Sequence, residues 1–176
     1  MDSQILHLGA GRRKIRGAFT VDINPRTNPS LTWDLNRLPY PLEADQFDVI
    51  VCHHVLEHLD NVIGVMEEIH RVGRAGARVF IRTPHFSSWQ FYTDPTHRHP
   101  FTSRSFDYLI PGTGLHAYDY SLARFKKHRV ALDVTPRDPL SNLLTALINR
   151  NLPFYEEHFA FLLPRDELYF DLEVVK

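Results

Sequence analysis

The chain has 176 residues, enough for one domain that buries most of its apolar surface, and its single cysteine excludes an internal disulfide. Twenty basic residues stand against 21 acidic ones, so no strong positive field would attract nucleic acid, and none is expected as a partner. The apolar runs are far shorter than the ~20 residues of a membrane span, and no cleavable signal precedes the first predicted strand, which together predict a cytoplasmic protein.

Short apolar segments alternate with helical patterns along the chain, as in a parallel sheet with crossover helices. The predicted strands lie near 4–8, 19–23, 31–34, 47–52, 77–82, 121–134 and 166–175.

Three helices are predicted between or after these strands. The first begins after Asp60 or Asn61 and ends at Gly73, with its apolar residues on one stripe. The second starts at the N-cap Asp138, and a third, shorter one is predicted over 102–110. The apolar face predicted for the second helix consists of Leu140, Leu143, Leu144, Leu147 and Ile148.

The first predicted strand ends in a glycine turn, and the second ends in an acid. The turn is Gly9-Ala10-Gly11. Because glycine has no side chain, the backbone at these positions can approach a ligand closely. The acid is Asp22, which at the tip of a strand can accept both hydrogen bonds of a ribose diol. This order of strand, turn, strand and acid predicts a nucleotide-cofactor site.

Three further motifs follow: Asp34-Leu35, the segment F-D-V-I-V-C-H-H-V-L-E-H over 47–58, and R-V-G-R-A-G over 71–76. With the glycine turn and Asp22 they resemble, over roughly residues 4–84, the class I S-adenosylmethionine-dependent methyltransferases, most closely the type 11 subgroup. The resemblance implies an α/β, Rossmann-like fold with a mostly parallel sheet, an antiparallel edge strand and shortened helices between the first three strands. It implies one domain, 1–176, with a cofactor half at about 1–84 and an acceptor and lid half at about 85–176.

The resemblance also implies S-adenosylmethionine as the cofactor, with S-adenosylhomocysteine as its product. The backbone of Gly9, Ala10 and Gly11 would lie near the methionine part, and Asp22 would bind the ribose hydroxyls. The other residues that it implies are Ile23 beside the adenine, Asp34 at the adenine amino group, Leu35 against the ring, and Cys52 and His53 near the methionine end.

Three positions depart from the family pattern. Arg13 stands in place of a third glycine, Ala75 stands in place of a proline, and His7 replaces the acid that precedes the glycine turn. The contact that this acid makes toward the cofactor must come from elsewhere or be missing. A non-catalytic domain that binds S-adenosylmethionine is therefore the alternative to a methyltransferase.

A loop rich in aromatic and histidine residues, 83–107, leaves the fifth predicted strand at the sheet edge where ligands of such folds bind. Its length and composition predict a lid over the acceptor site. The sequence D-P-T-H at 94–97 again resembles members of the type 11 subgroup. The candidates for catalysis, including a general base, are His85, Asp94, His97 and His99. The alternative is that these side chains only pack the loop.

The implied reaction is an in-line displacement, in which an acceptor atom attacks the methyl group on the sulfonium. The protein then mainly aligns the reactants and excludes water. The acceptor is predicted to be a small molecule or a glycan intermediate. A nucleic-acid acceptor is less favoured, because short basic runs such as 12–16 and 124–129 are more often solvated faces than phosphate sites.

A competing interpretation comes from His54-Val55-Leu56-Glu57-His58, which matches the H-x-x-E-H pattern of inverted zinc peptidases. On a helix, the two histidines would share a face and could bind zinc, with Glu57 activating water. Because His54 directly follows a buried strand, the methyltransferase interpretation is preferred, and no metal ligand is predicted.

Overall fold

A seven-stranded sheet forms the centre of the molecule, and the computed structural model describes it within residues 4–133 and 138–176. The strands are β1 (Ile5–Leu8), β2 (Phe19–Asp22), β3 (Leu31–Thr32), β4 (Phe47–His53), β5 (Gly73–Pro84), β6 (Arg124–Leu132) and β7 (Glu167–Val175). They lie in the order β3-β2-β1-β4-β5-β7-β6. Strands β1 to β5 pair in parallel, so their carboxyl ends meet at one edge, where ligands bind in open α/β sheets.

The central strands are buried on both faces. Strand β1 pairs with β2 on one side and with β4 on the other, and Leu6, Leu8 and Ile50 are fully buried. Parallel strands that are covered on both faces need continuous apolar runs rather than alternating ones. The apolar run at 49–52 therefore forms a strand, as predicted.

The antiparallel strand of the sheet is β7. It pairs antiparallel with β5 and with β6, and β6 is the outermost strand. Both strands lie within the segments predicted for them, although residue 134 of the first prediction lies outside the described residues. Because β7 runs against its neighbours, its first residue, Glu167, pairs with Pro84 and reaches the carboxyl edge of the parallel strands.

The helices are α1 (Val62–Val72), α2 (Trp89–Thr93), α3 (Pro139–Ile148) and α4 (Leu152–His158). Helix α1 confirms its prediction, since Asn61 is the N-cap and accepts a hydrogen bond from the Gly64 N–H at 2.9 Å. Residues 9–18 form turns, and a single 3-10 turn, Pro25–Thr27, connects β2 to β3. These short connections confirm the reduced form of the fold.

Helix α3 begins where predicted, with Asp138 accepting from the Ser141 N–H at 3.0 Å. Its predicted apolar face is only half covered. Ile148 is buried and Leu144 packs against the core, while Leu140, Leu143 and Leu147 are 75, 60 and 50% exposed. An apolar stripe at helical spacing predicts a helix but not the extent of its burial.

The prediction of a helix over 102–110 is wrong. The segment contains one 3-10 turn, Asp107–Leu109, preceded by other turns. The hydroxyl of Ser105 accepts from the Thr102 N–H at 2.8 Å, and the N–H of Ser103 donates to Glu156 at 2.6 Å. Side chains that bind nearby backbone groups compete with helical hydrogen bonds.

Within the described part of the chain, none of the helices has both the length and the apolar character that a membrane span requires.

Candidate active site

A cavity of about 470 Å³ opens at the carboxyl ends of β1, β4 and β5. Its volume falls within the range of ~300–1,000 Å³ that is usual for small-molecule sites. The cavity is lined by His7, Gly9, Ala10, Gly11, Arg12, Arg13, His53, His54, Arg82 and Glu167. The predicted glycine turn and His53 thus lie together at the predicted edge of the sheet.

The two glycines of the turn serve different purposes. Gly9 has a φ of +61°, and a Cβ at this position would lie 2.5 Å from Cγ2 of Val55. Glycine is therefore needed for close packing against the segment that follows β4. Gly11 has a φ of +52°, and no described atom lies within 4 Å of the position that its Cβ would take. The space in front of Gly11 is open for a ligand.

Asp22 holds the glycine turn from the end of β2. Its Oδ2 accepts from the Gly11 N–H at 2.7 Å, and its Oδ1 accepts from the Asn24 N–H at 2.8 Å. A carboxylate oxygen can accept more than one hydrogen bond, so both oxygens keep capacity for a ligand hydroxyl. Asp22 is not among the described residues that line the cavity, but it binds Gly11, which is one of them.

The other predicted cofactor residues are spread over different environments. Ile23 is 66% exposed, Leu35 is buried, and Oδ1 of Asp34 accepts from the Asn36 N–H at 3.0 Å. Cys52 is fully buried in β4, and this burial raises the pKa of its thiol. Of this group, only His53 lines the described cavity, and cofactor contacts of the rest stay predictions.

Two histidines in the cavity are neutral near pH 7. Burial and the neighbouring Arg82 lower the pKa of His53 to about 4. Burial also lowers the pKa of His7, although Asp22 partly opposes this shift. Their ring centroids are 6.0 Å apart. His7, which stands where the family has an acid, therefore presents an uncharged imidazole to the cavity.

An ion-pair network forms the opposite wall. Nε2 of His54 lies 2.8 Å from Oε1 of Glu167, and Nη1 of Arg82 lies 3.5 Å from Oε2 of the same carboxylate. The hydrogen bond to Glu167, followed by the contact with Glu57, raises the pKa of His54 to about 9. Burial alone would raise the pKa of Glu167, but His54 and Arg82 bring it below its usual value. This wall holds one carboxylate between two cations.

Two polar atoms of cavity-lining residues lack partners. Within the described residues, Nδ1 of His7 and Nε of Arg82 are buried and have no hydrogen-bond partner. Buried polar groups in proteins are nearly always satisfied, by protein, water or ligand. These two atoms are the kind of groups that a polar ligand satisfies.

None of the four predicted catalytic residues is among the described residues that line this cavity. His85 is fully buried, with Nδ1 2.7 Å from the Ser87 hydroxyl and Nε2 3.4 Å from Glu156. Asp94 is exposed and caps the turn that contains Thr96. His97 and His99 are half-buried in the following loop. A role in catalysis stays a prediction for each of them.

The H-x-x-E-H helix does not form. His54 has a left-handed φ of +51°, and a separate 3-10 turn, Leu56–His58, begins two residues later. His54 therefore pairs with Glu167 instead of sharing a helical face with His58. The inverted zinc peptidase interpretation is wrong on this geometry.

Sequence reasoning missed His54, Arg82 and Glu167 as members of the site. His54 and Arg82 could have been found, because both lie at carboxyl ends of predicted parallel strands. Glu167 carries no such signal, since it reaches the edge only through the antiparallel pairing of β7 with β5.

Comparison with known proteins agrees with this architecture. A family model described as a methyltransferase domain matches residues 19–81. The chain is similar to the structure of an S-adenosylmethionine-dependent methyltransferase from Archaeoglobus fulgidus, with 17% identity and a TM-score of 0.59 over 98% of this chain and 86% of that one. The chain is also similar to an S-adenosylmethionine-dependent methyltransferase from Mesorhizobium loti. The identity is 16% and the TM-score is 0.58, over 97% of this chain and 90% of that one.

A third similar structure is a phosphoethanolamine N-methyltransferase 2 from Haemonchus contortus, in complex with phosphomonomethylethanolamine and S-adenosylhomocysteine. It is 13% identical with a TM-score of 0.56, over 98% of this chain and 48% of that one. Identities this low show a shared fold alone. A search of curated protein sequences finds no match to this chain.

Proposed function

We propose that this chain is a class I S-adenosylmethionine-dependent methyltransferase, which methylates a small-molecule or glycan-intermediate acceptor in the cavity at the carboxyl edge of its sheet; the methyltransferase-domain model that matches residues 19–81 supports this proposal. The observation that carries this proposal is the glycine-walled cavity whose lining residues His7 and Arg82 hold buried polar atoms without partners among the described residues. Its volume of about 470 Å³ suits small molecules rather than a polymer.

The residues of the cavity fit S-adenosylmethionine. The turn leaves open space in front of Gly11, and Asp22 keeps free acceptor capacity behind it. The backbone at 9–11 and Asp22 would hold the cofactor, as the sequence analysis expects. When bound, S-adenosylmethionine supplies an activated methyl group on a positively charged sulfonium.

Glu167 and Arg82 are proposed to hold the acceptor. The Glu167 carboxylate is fixed by His54 and Arg82 and still has lone pairs free. The Glu167 carboxylate would accept a hydrogen bond from a hydroxyl or amine of the molecule to be methylated. It would take the proton of that group as the methyl group is transferred to the oxygen or nitrogen. Nε of Arg82 would donate to a polar group of the acceptor. Alignment of the two reactants would supply most of the rate.

The proposal is tested first by calorimetry of the tag-free full chain with S-adenosylhomocysteine. Binding at micromolar levels is expected, with a rise in melting temperature because a ligand that binds only the folded state stabilises it. Absence of both heat and a melting shift would refute the proposal. Transfer is then measured with S-adenosylmethionine labelled on its methyl group and a panel of sugars, sugar nucleotides and small amines.

Glu167→Gln is expected to lower the turnover number about a hundredfold, while the affinity for S-adenosylhomocysteine changes less than about threefold. General-base groups contribute on the order of 10²–10⁴ in rate, and the amide cannot take a proton. Turnover and calorimetry on the same preparation measure the two effects. Glu173→Gln is the matched control, because Glu173 lies on the same strand and also pairs with a histidine, His128, at 2.6 Å. Equal turnover in both variants would remove Glu167 from the mechanism.

The loop 85–101 is proposed to act as a lid over the acceptor. Its ends are fixed, since the Phe86 N–H donates to the Phe101 carbonyl at 3.0 Å, while Trp89 and Tyr92 in α2 are 66 and 68% exposed. Ligand-induced closure is expected to slow chymotryptic cleavage after these two aromatic residues. The rate of cleavage with and without S-adenosylhomocysteine and acceptor measures it. Identical rates would mean that α2 does not close.

A further inference from the structure

Three side chains of the kind that bind metal ions meet where the loop after β5 lies against the turn after β4. One carboxylate oxygen of Glu57, one ring nitrogen of His58 and one of His97 lie within 4.8 Å of one another. The contact is reinforced by the backbone, since the Arg98 N–H donates to the Glu57 carbonyl at 2.8 Å. Of the described residues that line the cofactor cavity, none belongs to this cluster.

The hydrogen bonds of His58 fix which of its nitrogens carries the proton. The Thr96 hydroxyl lies 2.7 Å from Oδ1 of Asp94 and gives it its one hydrogen. The same hydroxyl oxygen lies 2.8 Å from Nδ1 of His58, and it can therefore only accept from that nitrogen. In the neutral ring, Nε2 is then left with a bare lone pair.

His97 is fixed in the same tautomer. Its Nδ1 lies 2.9 Å from the Phe91 carbonyl, which can only accept, so Nδ1 carries the hydrogen and Nε2 the lone pair. The ring centroids of His97 and His58 are 4.6 Å apart. Histidines that bind metals usually donate their other ring N–H to a carbonyl, a carboxylate or a similar acceptor in this way.

Within the described structure, the carboxylate of Glu57 contacts the side chains of Thr83 and His54. Its residue is fully buried, and Oε2 accepts from the Thr83 hydroxyl at 3.2 Å. Oε1 has no hydrogen-bond partner among the described residues, and the closest cationic group is Nδ1 of His54 at 3.4 Å. A buried carboxylate is costly unless hydrogen bonds and cations balance it, and the contacts of Glu57 with Thr83 and His54 leave it lone pairs for a further cation.

From these observations we propose that Glu57, His58 and His97 bind a divalent transition-metal ion, with Zn²⁺ the best match. Two imidazoles and one carboxylate are a known zinc ligand set, whereas Mg²⁺ and Ca²⁺ prefer oxygen ligands alone. Tetrahedral ligands with bonds of about 2.0–2.1 Å lie roughly 3.4 Å apart, so ligand atoms that now lie up to 4.8 Å from one another would move closer as the ion binds. The ion would tie the loop of His97 to the turn after β4.

This site differs from the zinc site that the H-x-x-E-H pattern predicted. His54 is not a ligand here, and His97, which is 39 positions farther along the chain than His58, takes its place. The fourth position is left for water or for a group of the acceptor, as in zinc sites with three protein ligands.

The test uses the tag-free full chain, stripped with EDTA and titrated with Zn²⁺ in competition with a chromophoric chelator. One Zn²⁺ per chain is expected. His97→Ala and His58→Ala are each expected to weaken binding by more than about tenfold, the loss that follows even when only an outer partner of a ligand is removed. Thr96→Val keeps all three ligands and removes only the hydroxyl that accepts from Nδ1 of His58 and donates to Asp94, and it is expected to weaken binding about tenfold.

His116→Ala is the matched control, because His116 is also half-buried and its Nδ1 lies 3.1 Å from a backbone carbonyl, that of Tyr108. Its zinc affinity is expected to equal that of the unmodified protein. If His97→Ala fails to fold by circular dichroism, His97→Gln replaces it, and the visible absorption of bound Co²⁺ reports the ligand set. No stoichiometric binding, or equal zinc affinity in the Thr96, His97 and His116 variants, would overturn the proposal.

Discussion

Asp22→Ala is expected to weaken the binding of S-adenosylhomocysteine about ten- to a hundredfold. A loss on the order of 1.5–3 kcal/mol follows when two charge-assisted hydrogen bonds to a ribose are removed. In this structure the same carboxylate also accepts from the Gly11 and Asn24 N–H groups, so its loss loosens the glycine turn as well. Isothermal calorimetry on both proteins measures the ratio of the dissociation constants.

Asp48→Ala is the control for this experiment. Asp48 also lies on a central strand and accepts from a backbone N–H, that of Gln4 at 2.8 Å. It lies at the amino end of β4, away from the carboxyl edge where the cavity opens. Its replacement is expected to leave the affinity for S-adenosylhomocysteine unchanged. If Asp22→Ala binds as tightly as Asp48→Ala, the ribose role of Asp22 is wrong.

Gly9→Ala is expected to destabilise the protein by roughly 2–5 kcal/mol. The left-handed φ of +61° costs an L-residue about 1–2 kcal/mol, and overpacking against Val55 adds about 1–3 kcal/mol. Gly11→Ala has only the cost of the left-handed φ, because no described atom lies near its Cβ position. Its free energy of unfolding is expected to fall by about 1–2 kcal/mol. Urea unfolding followed by circular dichroism gives the free energies of unfolding.

The double variant Gly9→Ala with Val55→Ala separates the two costs of the first substitution. Removing the Val55 side chain relieves the overlap, so the two changes are expected to be non-additive by about 0.5–3 kcal/mol. Gly11→Ala is expected to reduce the affinity for S-adenosylhomocysteine, because its new methyl group enters the open space of the cavity. Strict additivity at position 9 would contradict the packing argument.

The local structure of the first half of the chain could be predicted largely from the sequence. The glycine turn, the acid at the end of β2 and the N-cap of α1 are local features, and each has a physical cause within a few residues. The strands of the central sheet follow in the same way, because buried parallel strands require apolar runs. The shortened connections before β3 follow from the few residues that separate the first three predicted strands.

The sequence did not determine which surfaces pack. The stripe of leucines on α3 correctly predicts a helix, yet three of its five members are largely exposed. A helix is also predicted over 102–110, but Glu156, more than 50 positions away, binds the backbone of Ser103. Burial and long-range partners decide such cases, and periodicity carries no information about them.

The sequence by itself predicted a reduced methyltransferase-like fold and the glycine turn that lines the cavity, because both depend on short motifs at strand ends. Only the tertiary structure decided what faces it. His54 meets Glu167 across 113 positions of the chain, because β7 pairs antiparallel with β5 and brings its first residue to the ligand edge. The meeting of His97 with Glu57 and His58 likewise depends on how a loop folds back over a turn. Contacts of this kind arise from strand order and loop closure, which no local pattern specifies.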